Sequence, residues 1–285
     1  MSMEIYSLPA LRDPIMMAAF QGWNDAGEAA SKAVEHLLSL WPSQLIAEVE
    51  SEDFYDYQVN RPQIFLDDNG DRELSWPTTT VHAITVPNFE RDFLVVTGVE
   101  PSMKWRTFVG EILSLGEDLD ISLVVSLGSL LADVPHTRPI PVTLSAANSL
   151  LAKKFDVEMS RYEGPTGILG AIQDGCNARD LDAVSLWAAI PHYVAAPPCP
   201  KATLALLNRL EDLLGMNIPE GELPDDARAW ELGATQIAQE DSEILEYVQS
   251  LEESKDAADL PEASGESIAR EFERYLRHRG DEKNR

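Results

Sequence analysis

Pro135-His136-Thr137-Arg138-Pro139 sets an imidazole and a guanidinium two residues apart between prolines. An imidazole exchanges a proton near neutral pH, and a guanidinium holds carboxylates or phosphates through paired hydrogen bonds. Prolines on both sides keep the segment out of a helix or a central strand, so these groups sit on an irregular loop. The loop follows an apolar run, residues 121–126, that reads as a buried strand. Three more segments repeat this order of apolar strand and then polar, aromatic loop. Trp23, Asn24 and Asp25 follow residues 15–19; Glu100, with Trp105 and Arg106, follows residues 93–97; His192 and Tyr193 follow residues 183–190.

In open α/β sheets ligands bind beyond the carboxyl ends of the strands. All four loops lie at such ends, so their acids, bases, cation and aromatic rings are expected to share one crevice. The candidate lining is Trp23, Asn24, Asp25, Glu100, Arg106, His136, Arg138, Glu163, Thr166 and His192. The plainer alternative is that each loop caps its own helix or packs an interface.

Asn24-Asp25-Ala26-Gly27 stands where helix amides point outward and an anion can bind, although the Asp25 carboxylate can occupy those amides itself. Thr166 is expected to cap a helix starting near Gly167, and Glu163-Gly164-Pro165-Thr166-Gly167 lacks the Lys-Ser or Lys-Thr ending of a phosphate-cradling loop. Ser126 or Ser129 with His136 or His192 and Asp133 would form a hydrolytic set, but no Gly-x-Ser-x-Gly elbow is present. The five histidines never fall at i, i+3 or i+4, so no metal and no cofactor are expected.

The elements that must position these loops follow from periodicity. Residues 25–41 carry Ala29, Ala33, Val34, Leu37 and Leu38 at helical spacing after the first strand, and strand then helix recurs at 93–97 with 102–115 and at 183–190 with 201–214. This alternation predicts an α/β protein with helices on both faces of a mainly parallel sheet. Between residues 45 and 86 the pattern changes to short alternating runs, and Asn69-Gly70 predicts a hairpin that extends the sheet or projects from it. Residues 1–216 therefore read as one α/β/α domain. Residues 217–285 read as an acidic helical extension, with 19 Asp and Glu against 8 Lys and Arg from Glu220 onward. Within it, 225–251 has a weak helical stripe including Trp230, 255–265 reads as a linker, and 267–278 as a short amphipathic helix.

A formal charge of −27 argues against nucleic acid or an anionic membrane surface as a partner. The two cysteines, Cys176 and Cys199, show no metal or redox spacing and read as reduced structural thiols. No export signal or membrane span is evident, and a cytoplasmic protein is expected.

Gly22-Trp23-Asn24-Asp25-Ala26-Gly27, Gly98-Val99-Glu100-Pro101, the loop 127–143, Tyr162-Glu163-Gly164-Pro165-Thr166-Gly167 and Leu186-Trp187-Ala188-Ala189-Ile190-Pro191-His192-Tyr193-Val194 together resemble the proteasome assembly chaperone 2 family, in its actinobacterial branch. The resemblance implies a three-layer α/β/α sandwich like that of purine nucleoside phosphorylases, with mixed strand order. It also implies a non-enzymatic, assembly-chaperone-like protein, since eukaryotic relatives pair two such folds and hold proteasome α-subunits during ring assembly. A proteasome-related protein partner and a homo-oligomer, a trimer among the candidate forms, follow from the same source. Those relatives often dock through a C-terminal hydrophobic-Tyr-any motif. Here the last residues are Asp281-Glu282-Lys283-Asn284-Arg285 and the last tyrosine, Tyr275, is internal. The alternative is an enzyme or small-molecule binder using the crevice. A deep pocket converging Glu100, Arg106, His136 and Arg138 would favour that alternative, whereas internal ion pairs at those side chains would favour the scaffold.

Overall fold

The computed structural model describes residues 3–67, 69–146, 148–160 and 162–259. In chain order the elements are β1 (Met3–Ile5), β2 (Ile15–Gln21), α1 (Ala29–Leu40), β3 (Ser43–Val49), the single turn α2 (Ser51–Phe54), β4 (Gln63–Leu66), β5 (Arg72–Ser75), β6 (Thr79–Ile84), β7 (Phe93–Val99), α3 (Trp105–Asp118), β8 (Leu123–Ala132), β9 (Val142–Ala146), α4 (Ser149–Phe155), β10 (Glu158–Met159), α5 (Ile168–Asn177), β11 (Ala183–Pro191), α6 (Pro200–Leu214), α7 (Leu223–Glu240) and α8 (Ser242–Asp259).

Nine strands form one mixed sheet in the order β1-β3-β6-β7-β2-β8-β11-β9-β10. The four central strands, β7, β2, β8 and β11, run parallel, with Ile15 opposite both Phe93 and Leu123 and Ala183 opposite Val124. Antiparallel pairs β6/β7, β3/β6, β1/β3 and β9/β11 flank them. Because the central four share one direction, the loops after Gln21, Val99, Ala132 and Pro191 all leave from the same edge of the sheet.

β2 is buried on both faces, which is why Ile15-Met16-Met17-Ala18-Ala19-Phe20 reads as an unbroken apolar run. Side chains alternate across a strand. Ile15, Met17 and Ala19 accordingly meet Ala33, Val34 and Leu37 of α1 and Leu206 and Leu210 of α6 on one face. Met16, Ala18 and Phe20 meet Phe108 and Ile112 of α3 and Ile172 of α5 on the other. Phe20, Phe54 and Phe108 stack edge to face in that second layer, so removing the Phe20 ring would cost about 3–5 kcal/mol. The result is the three-layer α/β/α architecture.

Three details correct or sharpen the periodic reading. A single 3-10 turn, Ala26–Glu28, precedes α1, so the helix proper starts at Ala29. The Asn69-Gly70 hairpin, expected to extend the sheet or project from it, does the second: β4 and β5 pair only with each other. Residues 255–259, expected in a linker, continue α8, because the chain breaks instead at Asp241, whose carboxylate accepts from the amides of Glu243 and Ile244 and caps α8. The amphipathic segment 267–278 and Tyr275 lie outside the described residues.

The residues after α6 pack onto the same layers. Ile218 is fully buried in the α1/α6 layer and Trp230 packs against it, while Ala227, Ala234 and Ala238 are the buried face of α7.

Candidate functional site

The four loops at the carboxyl edge divide into two clusters. In the first, the turn after β2 is set by Gly22 at φ +127°, a region that favours glycine, and by the Asp25 amide bonding to Gly22 O at 3.1 Å. This buries Asn24 and leaves Trp23 64% exposed. Asn24 Nδ2 donates to Glu100 Oε1 at 2.7 Å, and the same oxygen accepts from the Ile168 amide at 2.8 Å. Glu100 therefore caps α5, with its charge at the positive end of the helix. Thr166 was the expected cap, yet Gly167 at the cap position has no side-chain cap bond, and Thr166 Oγ1 instead crowds Gly170. The close approach of α5 requires Gly167, since a Cβ there would sit 2.3 Å from Asn24 Nδ2.

Asp25 faces the other layer. Its Oδ1 accepts from the amides of Ala30 at 2.8 Å and Ser31 at 3.2 Å, so the carboxylate occupies the start of α1 where an anion would bind. Burial raises its pKa above the usual carboxylate value, partly offset by those amides. Asn24 Oδ1 and Asp25 Oδ2 are buried without a partner among the described residues.

The second cluster is His136 and its surroundings. The ring is buried between Tyr193 after β11 and Thr235 of α7. Thr235 Oγ1 already donates to Glu231 O at 2.9 Å, so it accepts from His136 Nε2 at 3.0 Å. Tyr193 Oη accepts from the His136 amide at 2.8 Å and donates to Nδ1 at 2.8 Å. The network assigns a neutral imidazole with its proton on Nε2. Burial, and next the nearby Lys201 ammonium, lower its pKa below the ordinary 6.5. Burial also pushes the Tyr193 phenol up to about 12. Lys201 Nζ donates to His136 O at 2.5 Å and pairs with Glu231.

Arg138 reaches α8. Its Nε and Nη2 bind the two oxygens of Asp256 at 2.8 and 2.7 Å, and Nη1 lies 3.3 Å from Glu252, which also accepts from Thr137. Paired bonds of this kind are the stronger charge-assisted type. His192 Nδ1 lies 3.4 Å from Asp133 Oδ1, which accepts from Tyr247 Oη of α8 at 2.9 Å. The rings of His136, Tyr193, His192 and Tyr247 make a run of edge-to-face contacts with centroids 5.5–6.0 Å apart.

No hydrogen bond or ion pair among the described residues joins Glu100 to His136 or Arg138; each belongs to a different network. Arg106, Glu163 and Thr166 are exposed. Among the described residues the Ser126 Oγ is buried without a partner and Ser129 Oγ donates to Ala26 O at 2.8 Å, so neither contacts a histidine. Cys176 and Cys199 are free and buried, with thiol pKa values pushed up by burial to about 12 and about 11. Among the described residues no group of three or more His, Cys, Asp or Glu is placed to hold a metal, and no helix is long and apolar enough to cross a membrane.

Sequence reading missed the partners of the second cluster: Thr235, Tyr247, Glu252 and Asp256. One signal was available, because Glu252 and Asp256 at i, i+4 share a helix face and can clasp one guanidinium.

A cleft of about 470 Å³ opens beside the first cluster, lined by Trp23, Glu100, Trp105, Met103, Asp56 and Val59 among others.

A model described as the PAC2 family matches residues 19–238. The crystal structure of a PAC2 family protein from Streptomyces avermitilis is 54% identical with a TM-score of 0.78, covering 83% of this chain and 100% of that one. A Mycobacterium tuberculosis protein described as a proteasome-assembly chaperone homologue is 49% identical with a TM-score of 0.75, covering 82% of this chain and 99% of its own. Pyrococcus furiosus PbaB, described as an archaeal proteasome activator, shares the fold at 20% identity with a TM-score of 0.65, over 82% of this chain and 97% of its own. No curated protein matches the chain.

Proposed function

The chain belongs to the PAC2 family, and from that premise we propose that it is a non-enzymatic, assembly-chaperone-like protein that binds another protein. One observation carries this reading. His136 and Arg138, the base and cation that an active crevice would have used, hold the protein's own α7 and α8 through Thr235, Glu252 and Asp256. A catalytic site needs such groups free to meet a substrate, and a scaffold needs them fixed.

The partner is a proteasome-related protein, which the description of the Mycobacterium tuberculosis relative supports. The formal charge of −27 favours a partner with a basic face. Self-association belongs to the same reading, supported by the projecting β4–β5 hairpin, whose Ile64 and Leu66 are 57% and 67% exposed. A cytoplasmic location is consistent with two free, buried thiols.

Native mass spectrometry tests the proposal, with the purified chain alone and mixed with proteasome α-subunits of its own source. The expected spectrum holds oligomers of the 31.5 kDa chain and a defined complex with α-subunits. A 31.5 kDa monomer that leaves α-subunit assembly unchanged would overturn it.

A further inference from the structure

The cleft beside β2 and β7 is built from residues that the α5 cap does not exhaust. Glu100 Oε1 is engaged by Asn24 Nδ2 and the Ile168 amide, and none of the hydrogen bonds of Glu100 among the described residues uses Oε2. That second oxygen lies toward Gly22, 3.7 Å from where a Cβ there would stand, so glycine leaves its approach open. The carboxylate is thus fixed through one oxygen and available through the other.

The walls are equally fixed. The amides of Ser102 and Met103 bond to Phe54 O at 2.8 and 3.1 Å, Asn60 Nδ2 donates to Ser102 Oγ at 3.1 Å, and Trp105 Nε1 donates to Pro101 O at 2.5 Å. Trp23 stands on the turn that buries Asn24, its backbone held by the Ser129 amide bonding to Asn24 O at 2.8 Å. An indole 64% exposed on a backbone this constrained loses little entropy on binding, as anchoring aromatics do at protein interfaces.

Charge then selects the occupant. The lining includes two carboxylates, Glu100 and Asp56, and two indoles, Trp23 and Trp105, and contains no Lys, Arg or His. Asp56 Oδ1 accepts from the Gln58 amide at 2.8 Å, which holds that side chain in its own turn. Indole faces attract cations, and a fixed carboxylate completes a site for an ammonium or guanidinium on an apolar stem. A volume of about 470 Å³ lies within the ~300–1,000 Å³ usual for binding sites. We propose that this cleft receives a Lys or Arg side chain of a protein partner, its charge on Glu100 Oε2 and Asp56 and its stem against Trp23 and Trp105. The proposal rests on the protein-binding reading above and deepens it.

The test uses ¹H–¹⁵N spectra of the tryptophan indoles in the full chain, titrated with the N-acetyl amides of lysine, arginine and norleucine, and with spermidine. The lysine and arginine probes should shift the Trp23 and Trp105 resonances saturably, with a dissociation constant on the order of 1 mM from one charged bond plus a ring contact. Norleucine should not. Glu100→Gln, which keeps an oxygen for Asn24 and Ile168, should weaken both cationic probes about tenfold, while the lost charge at the start of α5 lowers the melting temperature only slightly and folding stays cooperative. Equal shifts with norleucine, or no saturation by about 10 mM, would overturn the site. Spermidine binding far more tightly than either side-chain probe would overturn the partner as the source of the cation. If α-subunits bind the parent and Glu100→Gln chains equally well, the chaperone reading stands and this site falls; if only the amide probes bind, the cation site stands and the chaperone reading falls.

Discussion

Arg138 and Asp256, 118 residues apart in the chain, face each other through two parallel hydrogen bonds of 2.8 and 2.7 Å. The pair joins the loop after β8 to the last described helix. With the bonds from Tyr247 to Asp133 and from Thr137 to Glu252, it gives the acid-rich α8 a defined contact surface on the domain. The negative charge of this helix is therefore partly structural. The guanidinium holds the Asp256 carboxyl below its usual pKa, as a persistent pair should.

Replacing Arg138 by Ala should release α8 without unfolding the sheet. Both core clusters are built without Arg138, and its side chain is one-third exposed, so water screens the lost pair. Hydrogen exchange should quicken across 242–259 and stay unchanged in β2 and β8. Unchanged protection of α8 would mean that Tyr247 and the other contacts suffice alone.

His136 makes the attachment of α7 sensitive to pH. Its folded pKa lies below 6.5, so the unfolded chain takes up the proton first, and stability falls as the pH drops through about 6.5 until the folded imidazole titrates. Lys201 opposes protonation, while Glu231 and Glu252 partly favour it; Tyr193 and Thr235 are neutral there. The melting temperature should decline as the pH falls below about 6.5, and His136→Gln should flatten that decline. An identical slope in the variant would assign it to other groups.

The alternation of apolar runs and helical stripes located the four central strands and α1, α3 and α6, because burial on both sheet faces writes itself into residue type, although β8 runs on to Ala132 through residues read as loop. The same signal failed for β9, α4 and β10, whose runs are only five, seven and two residues long. The residues of the carboxyl edge were legible as polar and aromatic groups at strand ends, but their partners were not. Nothing local in Pro135 to Pro139 points to Thr235 or Asp256, and nothing in Glu100 announces that it caps a helix starting at Ile168. Those pairings are set by how α5, α7 and α8 close over the sheet.

Asp25 separates capping from charge. Asp25→Ala removes the acceptor for the Ala30 and Ser31 amides and should cost about 1–2 kcal/mol in denaturant unfolding. Asp25→Asn keeps an oxygen there. Because burial raises the folded pKa above 3.8, the carboxylate contributes most at low pH and loses that contribution as the pH rises through the folded value. At pH 7 the Asn variant should therefore match or exceed the parent. An Asn variant as unstable as Ala would show that the charge itself is required.

A chain ending at Gly215 tests the proposed division at residues 216 and 217. The sheet, α1, α3, α5 and α6 supply nearly all members of both core clusters, so the shortened chain should still unfold cooperatively. It also loses Ile218, Trp230 and the helix that covers α6, and it leaves His136 Nε2 and the Lys201 ammonium without their α7 partners. Each of those losses destabilises, through exposed apolar surface in the first case and unpaired polar groups in the second. The melting temperature should drop, and the drop should shrink in a Lys201→Met background, where no buried cation is stranded. Loss of cooperative unfolding would place α7 inside the domain.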